Sequence, residues 1–337
     1  MRVLVTGGAG YLGSHTLLEL MALNYEVCVL DNYSNATPEV LSRVRSLSNG
    51  TVTDYTGDVR DDAMLDRVMA EFRPDAVIHF AGLKAVGESA EKPLYYYDVN
   101  VGGTLAVVRA MERAGCNRII FSSSATVYGE PTYLPYDEAH PTTPKSVYGQ
   151  SKLMAERILT DWTVANGAAS AVILRYFNPV GAHISGQIGE DPSDIPNNLM
   201  PYIAQVAVGK RDVLTIFGDD YDTPDGTGLR DYIHVVDLAR AHVAALGYAV
   251  RHTGARPFNI GTGQSYSVRD IVAAFGRACG AEIPVRQAPR RVGDIAAMQA
   301  DAGRAMRELN WKATHTLDDM TVSTWKWQSG NPDGYTR

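Results

Sequence analysis

Cysteine is scarce. Cys28, Cys116 and Cys279 are the only three, odd in number, far apart and without C-x-x-C spacing. That argues against a disulfide framework or a cysteine zinc site, and it fits a reducing cytoplasm with the thiols serving as small buried hydrophobes. Long apolar runs are missing too. No stretch approaches the roughly 18 apolar residues that a membrane span requires. The apolar start at residues 3–5 is too short for a signal peptide and runs straight into glycines. A soluble, cytoplasmic protein with no membrane partner is expected. Positive charge is in deficit: 31 Lys and Arg face 38 Asp and Glu, for a net charge of −7. Such a chain is a poor general binder of nucleic acid, whose phosphates repel it, although a local basic pocket stays open to it. None of the eight histidines makes a metal-ligand spacing such as H-E-x-x-H, so no metal is expected.

What is present is ordinary globular composition, 45% hydrophobic and 20% charged over 337 residues, enough for about two domains. The first half alternates short apolar runs with helical patterns. Strands are expected at residues 2–6, 26–30, 52–55, 76–80, 118–122 and 170–175. Helices are expected at 11–23, 38–48, 63–71, 100–114 and 148–165. The strands are rich in Val, Ile and Leu without alternation, which fits burial on both faces of a parallel sheet with right-handed crossovers. After Asn178 the texture changes. Loops are expected at 181–198 and 218–228, strands at 258–260 and 284–287, and helices at 199–208, 236–248, 268–279, 301–309 and 317–327.

The run Gly7-Gly8-Ala9-Gly10-Tyr11-Leu12-Gly13 follows the first strand and opens the first helix. One glycine makes the tight turn, one lets a pyrophosphate approach the backbone, and one lets helix and strand pack closely. The helix N-terminus then offers free N–H groups and partial positive charge to an anion. Glycines alone are weak evidence, but a strand before and a helix after is the context they require. Asp31 ends the second strand 18 residues beyond Gly13. Its carboxylate suits two ribose hydroxyls and repels a 2′-phosphate, which favours NAD over NADP. The fold class expected is α/β: a Rossmann-type doubly wound parallel sheet with a smaller mixed α/β unit. The partition is an NAD-binding unit at 1–177, with return segments near 230–262, and a second unit at 178–337.

Tyr148 and Lys152 stand at i and i+4, on one helix face. A free tyrosine has a pKa near 10 and is a poor base at neutral pH. A neighbouring ammonium and a positive nicotinamide both favour phenolate. A depression of about 3 pH units needs roughly 4 kcal/mol. By itself Y-x-x-x-K is usually a solvated helix face. Here it follows a dinucleotide turn, and Ser122-Ser123-Ser124 lies upstream at a strand end, where open parallel sheets bind ligands.

These motifs, with residues 77–89, 121–129, 174–183, 195–201 and 230–235, resemble the extended short-chain dehydrogenase/reductases. Within them the chain is similar to the bacterial UDP-glucose 4-epimerase family, over nearly its whole length. The resemblance implies reversible C4 epimerisation of UDP-galactose and UDP-glucose through a transient 4-ketohexose, with hydride shuttled by tightly bound NAD. It implies Tyr148 as acid and base, Lys152 lowering its pKa and bonding the nicotinamide ribose, and Ser124 bonding the reacting oxygen. It places the cofactor against Gly7, Gly10, Tyr11, Leu12 and Gly13, and against Asp31, Asn32, Tyr33, Ser34, Asn35 and Ala36. Further cofactor contacts are Asp58, Val59, Phe80, Ala81, Gly82, Leu83, Lys84 and Phe177. The UDP-hexose falls to Asn178, Asn198, Leu199, Thr215, Ile216, Phe217, Arg230, Arg291 and Asp294, besides Ser124 and Tyr148. Two arginines suit a diphosphate. A homodimer through residues 100–114 and 148–165 is also implied.

Two positions depart from the family pattern. Val99 stands where relatives often carry Asn, though Asn100 is kept. Met298 stands where many glucose/galactose enzymes carry Tyr against the hexose, and a slim, flexible side chain leaves room for a larger 2-substituent, making N-acetylhexosamine forms an alternative. A nucleotide-sugar dehydratase or reductase is a weaker alternative, because the Ser124-Ala125-Thr126-Val127 stretch lacks the carboxylate that eliminates water. A non-catalytic NAD-binding regulator would not need both Tyr148 and Lys152.

Overall fold

A computed structural model describes residues 1–335 other than Asn49, Asp194 and Val292. Residues 336 and 337, at the end of the expected second unit, lie outside them. Six strands come first: β1 (Arg2–Thr6), β2 (Glu26–Asp31), β3 (Val52–Thr56), β4 (Ala76–His79), β5 (Arg118–Ser124) and β6 (Ser170–Tyr176). Three short ones leave the first sheet, β7 (Asn178–Val180), β8 (Leu214–Phe217) and β9 (Leu229–His234). β10 (Gly254–Ile260) returns to it, giving a seven-stranded sheet of order β10-β6-β5-β4-β1-β2-β3, every pair parallel. β11 (Ser265–Ser267), β12 (Val285–Ala288) and β13 (Ala297–Met298) complete the strands.

The helices are α1 (Tyr11–Ala22), α2 (Pro38–Ser48), α3 (Asp62–Phe72), α4 (Val86–Glu91), α5 (Pro93–Tyr97), α6 (Gly103–Ala114) and α7 (Val147–Ala165). After them come α8 (Leu199–Ala207), α9 (Val235–Arg251), α10 (Val268–Cys279) and α11 (Leu317–Gly330). The unbroken apolar runs of the strands have a simple cause. Val3, Val5, Val27, Val29 and Ile78 face α1 and α9 through Leu17, Leu20 and Leu246. Leu4, Cys28, Leu30, Val77 and Phe121 point the other way, into a core with Leu65, Val107 and Leu159 of α3, α6 and α7. Successive residues alternate faces, and both faces are covered.

β7, β9, β11 and β13 form a second sheet beside the first, and β8 pairs with β12. The expectations at 258–260 and 284–287 hold, with β10 starting earlier, at Gly254. Of the helix expected at 301–309, residues 303–309 are helical, the last five, Ala305–Leu309, as a wide turn. β7, β8, β9 and β11 and the short helices α4 and α5 carry no periodic signal in the sequence. β9 is positioned by Asp231, fully buried, whose carboxylate accepts from Thr262 N (2.8 Å), Gly263 N (2.9 Å) and Ala300 N (3.1 Å). It thereby ties β9 to the chain on either side of it. Cys28 and Cys116 are buried, and all three thiols are free. Among the described residues no helix is long and apolar enough to cross a membrane.

The strand order reverses between β1 and β4, the place where an open parallel sheet makes its ligand crevice. Gly7 sits there with φ +71°, and a Cβ on it would lie 2.6 Å from the backbone N of Ala81, at the end of β4. Gly13 is tighter still. Its Cβ would stand 2.5 Å from the Gly7 carbonyl oxygen and 2.6 Å from Gly8 Cα, both backbone atoms. Alanine normally helps a helix by about 1 kcal/mol over glycine, but here it meets atoms that cannot yield. Gly13→Ala is therefore expected to destabilise the protein by about 1–3 kcal/mol, read as a lower midpoint in thermal or urea unfolding. An unchanged midpoint would show that the turn has slack.

Candidate active site

The first-half residues expected from the sequence stand at the C-terminal ends of β1, β2, β4 and β5. At the first end, α1 begins at Tyr11 with Gly10 as N-cap, no side chain capping it and no acid in its first turn. Its leading N–H groups are unclaimed by side chains, which suits an anion. Tyr11 and Leu12 head this helix, and the Tyr11 hydroxyl is already donated to the Gly181 carbonyl at 2.6 Å. At the second end Asp31 is 8% exposed and accepts from Ala9 N at 3.0 Å and Tyr33 N at 2.9 Å. Burial pushes its pKa up, and those two backbone bonds pull it back. A carboxylate so placed, with acceptor capacity left over and no bonded cation, fits the two hydroxyls of a ribose. Beside it Asn32 donates to Asp58 at 3.0 Å and takes Ser34 N at 3.0 Å, which shapes the 32–36 loop. Arg60, bonded to Asp58, holds that carboxyl well below the usual range. Val59 is buried beneath, against the position of Gly103.

Residues 80–84 form the opposite lip. Phe80 lies 4.7 Å from the ring of His242. Asn100 holds this segment from below: its side chain accepts from Leu83 N at 2.7 Å and donates to the Leu83 carbonyl at 3.0 Å and to Ser151 Oγ at 2.9 Å. It sits in a wide helical turn, Asp98–Gly102, a widening common at functional sites. A Cβ on Gly82 would come within 3.0 Å of Asn100 and 3.7 Å of Lys152 Nζ. The bare glycine leaves room beside the ammonium.

α7 brings Tyr148 and Lys152 to the end of β5. Ser146 caps the helix through Gly149 N. Lys152 is 6% exposed; its Nζ donates to the Ser122 carbonyl at 2.7 Å and lies 5.0 Å from the Phe121 ring centre. Burial lowers its pKa to about 8, with Glu156 opposing. Burial raises that of Tyr148, and a hydrogen bond with Ser124 pulls it back. The phenol is thus not depressed by this chain alone; the expected depression counted a bound nicotinamide as well. Ser124 Oγ also accepts from Thr126 N at 3.2 Å and Thr126 Oγ1 at 3.0 Å, and no carboxylate enters that stretch.

The second-half residues form smaller groups. Asn198 and Lys84 meet at Glu190, at 3.3 and 2.7 Å, which joins the two halves across the crevice. Phe177 is buried in a cluster with Val127, Leu153 and Tyr136, against which Met298 packs. Asn178 starts β7 opposite Tyr232, and Arg230 is the register partner of Met298. Phe217, Arg291 and Asp294 come together, the guanidinium 5.0 Å from the ring centre and 2.8 Å from the carboxylate. Thr215 accepts from Arg286 at 2.8 Å. Ile216 points into the core with Leu214, so only its backbone faces outward, and Leu199 opens α8. Sequence reasoning missed Glu190 and the buried Glu156, Arg175 and Asp231, whose partners lie far off in the chain; Glu156 alone carried a local signal, its place four residues beyond Lys152.

This architecture belongs to a defined class. Residues 3–261 match the NAD dependent epimerase/dehydratase family, and the chain belongs to that family. It is similar to the UDP-glucose 4-epimerases of Yersinia pestis and Bacillus subtilis, each 54% identical and aligned over 99% of this chain and 99% of the relative. A crystal structure of UDP-glucose 4-epimerase from Bifidobacterium longum, in complex with NAD+ and UDP, superimposes with a TM-score of 0.97 at 53% identity, covering 99% of this chain and all of that one.

The buried lysine has a thermodynamic consequence. Its pKa falls from the ordinary 10.5 to about 8 in the folded chain. Between those values the unfolded state binds more protons, so stability rises with pH across that window. Below about 8 the buried ammonium is a standing cost of up to about 3 kcal/mol, at about 1.4 kcal/mol per pH unit. Lys152→Met should therefore raise the unfolding temperature of cofactor-free protein at pH 7, with the gain shrinking above pH 8. A variant less stable than the parent at pH 7 would contradict this.

Proposed function

We propose that this chain interconverts UDP-galactose and UDP-glucose at C4 of the hexose, through a transient 4-ketohexose, with NAD bound at the crevice between β1 and β4. The observation that carries the reading is the meeting of the Tyr148 phenol, the Ser124 hydroxyl and the buried Lys152 ammonium at the end of β5. Relatives named for this reaction align from end to end.

The Gly7–Gly13 turn and the α1 N-terminus would hold the pyrophosphate of NAD, Asp31 its adenosine ribose, the 32–36 loop with Asp58 and Val59 its adenine side, and residues 80–84 its middle. When bound, NAD supplies a reversible hydride acceptor at the carbinol carbon. Tyr148 takes the proton from the 4-hydroxyl oxygen and returns it to that same oxygen when C4 is reduced again on its opposite face, so no proton is gained or lost over a turnover. Ser124 donates to the reacting oxygen and steadies the phenol. Lys152 has three donors and spends one on Ser122; the others are free for a ribose and for the field that favours phenolate. Arg230 and Arg291 serve the diphosphate, with Asn178, Asn198, Leu199, Thr215, Phe217, Asp294 and the Ile216 backbone around the rest of the UDP-sugar. Elimination of water is disfavoured, because the carboxylate that reaches this serine run, Glu156, is committed to Ser123 and Arg175.

Met298 favours a second, minor activity. It is partly buried on the Phe177 and Leu153 cluster, and its unbranched side chain yields to a 2-acetamido group. UDP-N-acetylglucosamine and UDP-N-acetylgalactosamine are the minor pair. The free thiols support a cytoplasmic location. A homodimer through α6 and α7 is supported by exposed Met154 and Val164 on α7.

One preparation tests these points. Purified protein, given UDP-galactose in a coupled assay, should form UDP-glucose without added NAD and prefer that pair to the N-acetyl pair in kcat/KM. Its mass by light scattering should be twice that of the chain. Tyr148→Phe should lower kcat by about 10²–10⁴-fold. Full activity in Tyr148→Phe, or preference for the N-acetyl pair, would overturn the assignment.

A further inference from the structure

Three consecutive serines end β5, and each meets a different residue of α7. Ser124 acts on the Tyr148 phenol, the Ser122 carbonyl accepts from Lys152, and Ser123 Oγ donates to Glu156 Oε1. Tyr148, Lys152 and Glu156 stand at i, i+4 and i+8, one stripe along the helix. The first two handle protons under the reading above; the third has no part in it.

Glu156 is nonetheless the most firmly held of the three. It is 4% exposed, and its two oxygens take Arg175 Nε at 3.0 Å and Nη2 at 2.6 Å as a fork. A buried ion pair is weak evidence for stability, because removing two charges from water offsets their attraction. Something else is served by it. Ser123, Arg175 and Asn259 are register partners across β5, β6 and β10, so all three side chains rise from one row on one face of the sheet. The remaining Arg175 nitrogen donates to the Tyr128 hydroxyl at 3.0 Å, and Tyr128 donates to Asn259 at 2.6 Å. Asn259 donates to the Tyr136 carbonyl at 2.8 Å, and Tyr136 N donates to the carbonyl of Gln299, next to Met298. The row ties the helix of Tyr148 to the strand of Met298.

We propose that Glu156, clamped by Arg175, is a positioning residue: it fixes α7 against β5 so that Lys152 and Tyr148 stay opposite Ser122 and Ser124, and it sets a negative charge one helical turn from the Lys152 ammonium. The proposal rests on the reading of Tyr148 and Lys152 as the proton-handling pair. The groups around Lys152 are few. α7 presents Glu156 and the Tyr148 phenol, β4 presents His79, held neutral by burial, and β5 presents the Phe121 ring and a carbonyl. The segments above it present Gly82 and the uncharged Asn100. Glu156 is the one acid in this set.

Three variants of the NAD-loaded protein test it: Glu156→Gln, Arg175→Lys and Ser123→Ala. Glu156→Gln and Arg175→Lys should lower kcat for UDP-galactose about tenfold or more with KM within about threefold, and Ser123→Ala should lower kcat about threefold. NMR of protein carrying 13C-labelled lysine, stripped of cofactor, gives a second readout: the Lys152 signal should titrate at lower pH in Glu156→Gln than in the parent. If the two charge variants fail to fold, Ser123→Ala, which removes a single hydroxyl, decides the matter. Folded variants with the parent kcat and an unmoved Lys152 titration would overturn the proposal. An inactive parent would instead sink the epimerase reading, while the titration still judges the role of Glu156.

Discussion

Where β4 returns to pair with β1 on the side away from β2, the chain segments leaving those strands must diverge, and the gap between them is the crevice. The divergence works only if backbone can pass backbone closely. Gly7 runs against Ala81, and Gly13 runs against Gly7 and Gly8, at distances that no side chain would permit. Because the turn is so tight, α1 starts directly over the crevice with its N–H groups aimed into it, and Asp31 of the next strand reaches Ala9 in the same turn. The dinucleotide half of the site is thus a property of the main chain, with one carboxylate added.

The chemical half is a property of one helix lying on one strand end. β5 ends in three serines, and α7 sets a phenol, an ammonium and a carboxylate against them. The ammonium is the expensive member, since burial without a directly bonded acid lowers its pKa. A stable fold would discard it, and its retention is a trade of stability for function. The phenol is also pushed the wrong way by burial. On the proposed reading, the chain by itself leaves Tyr148 a poor base.

Much of this is written locally in the sequence. The glycine turn, Asp31 and the i, i+4 pair of Tyr148 and Lys152 each depend on residues near one another in the chain, and they stand at the ends of β1, β2 and β5. The first sheet is equally legible, because strands buried on both faces must be apolar throughout. The short strands of the second sheet are not. β9 reads Leu-Arg-Asp-Tyr-Ile-His and is held by Asp231 reaching residues 262, 263 and 300, which no local pattern reveals. Glu190 and Arg175 were hidden for the same reason: their partners are Lys84 and Glu156, 106 and 19 residues away.

The central claim is that C4 is oxidised and reduced by hydride held within the protein, while Tyr148 handles only the hydroxyl proton. UDP-galactose carrying deuterium at C4 tests this most directly. Run in ordinary water, the UDP-glucose formed should keep its deuterium at C4 in full, by mass spectrometry and NMR. Loss of that deuterium to solvent would mean that the carbon itself is deprotonated, and the account would be wrong.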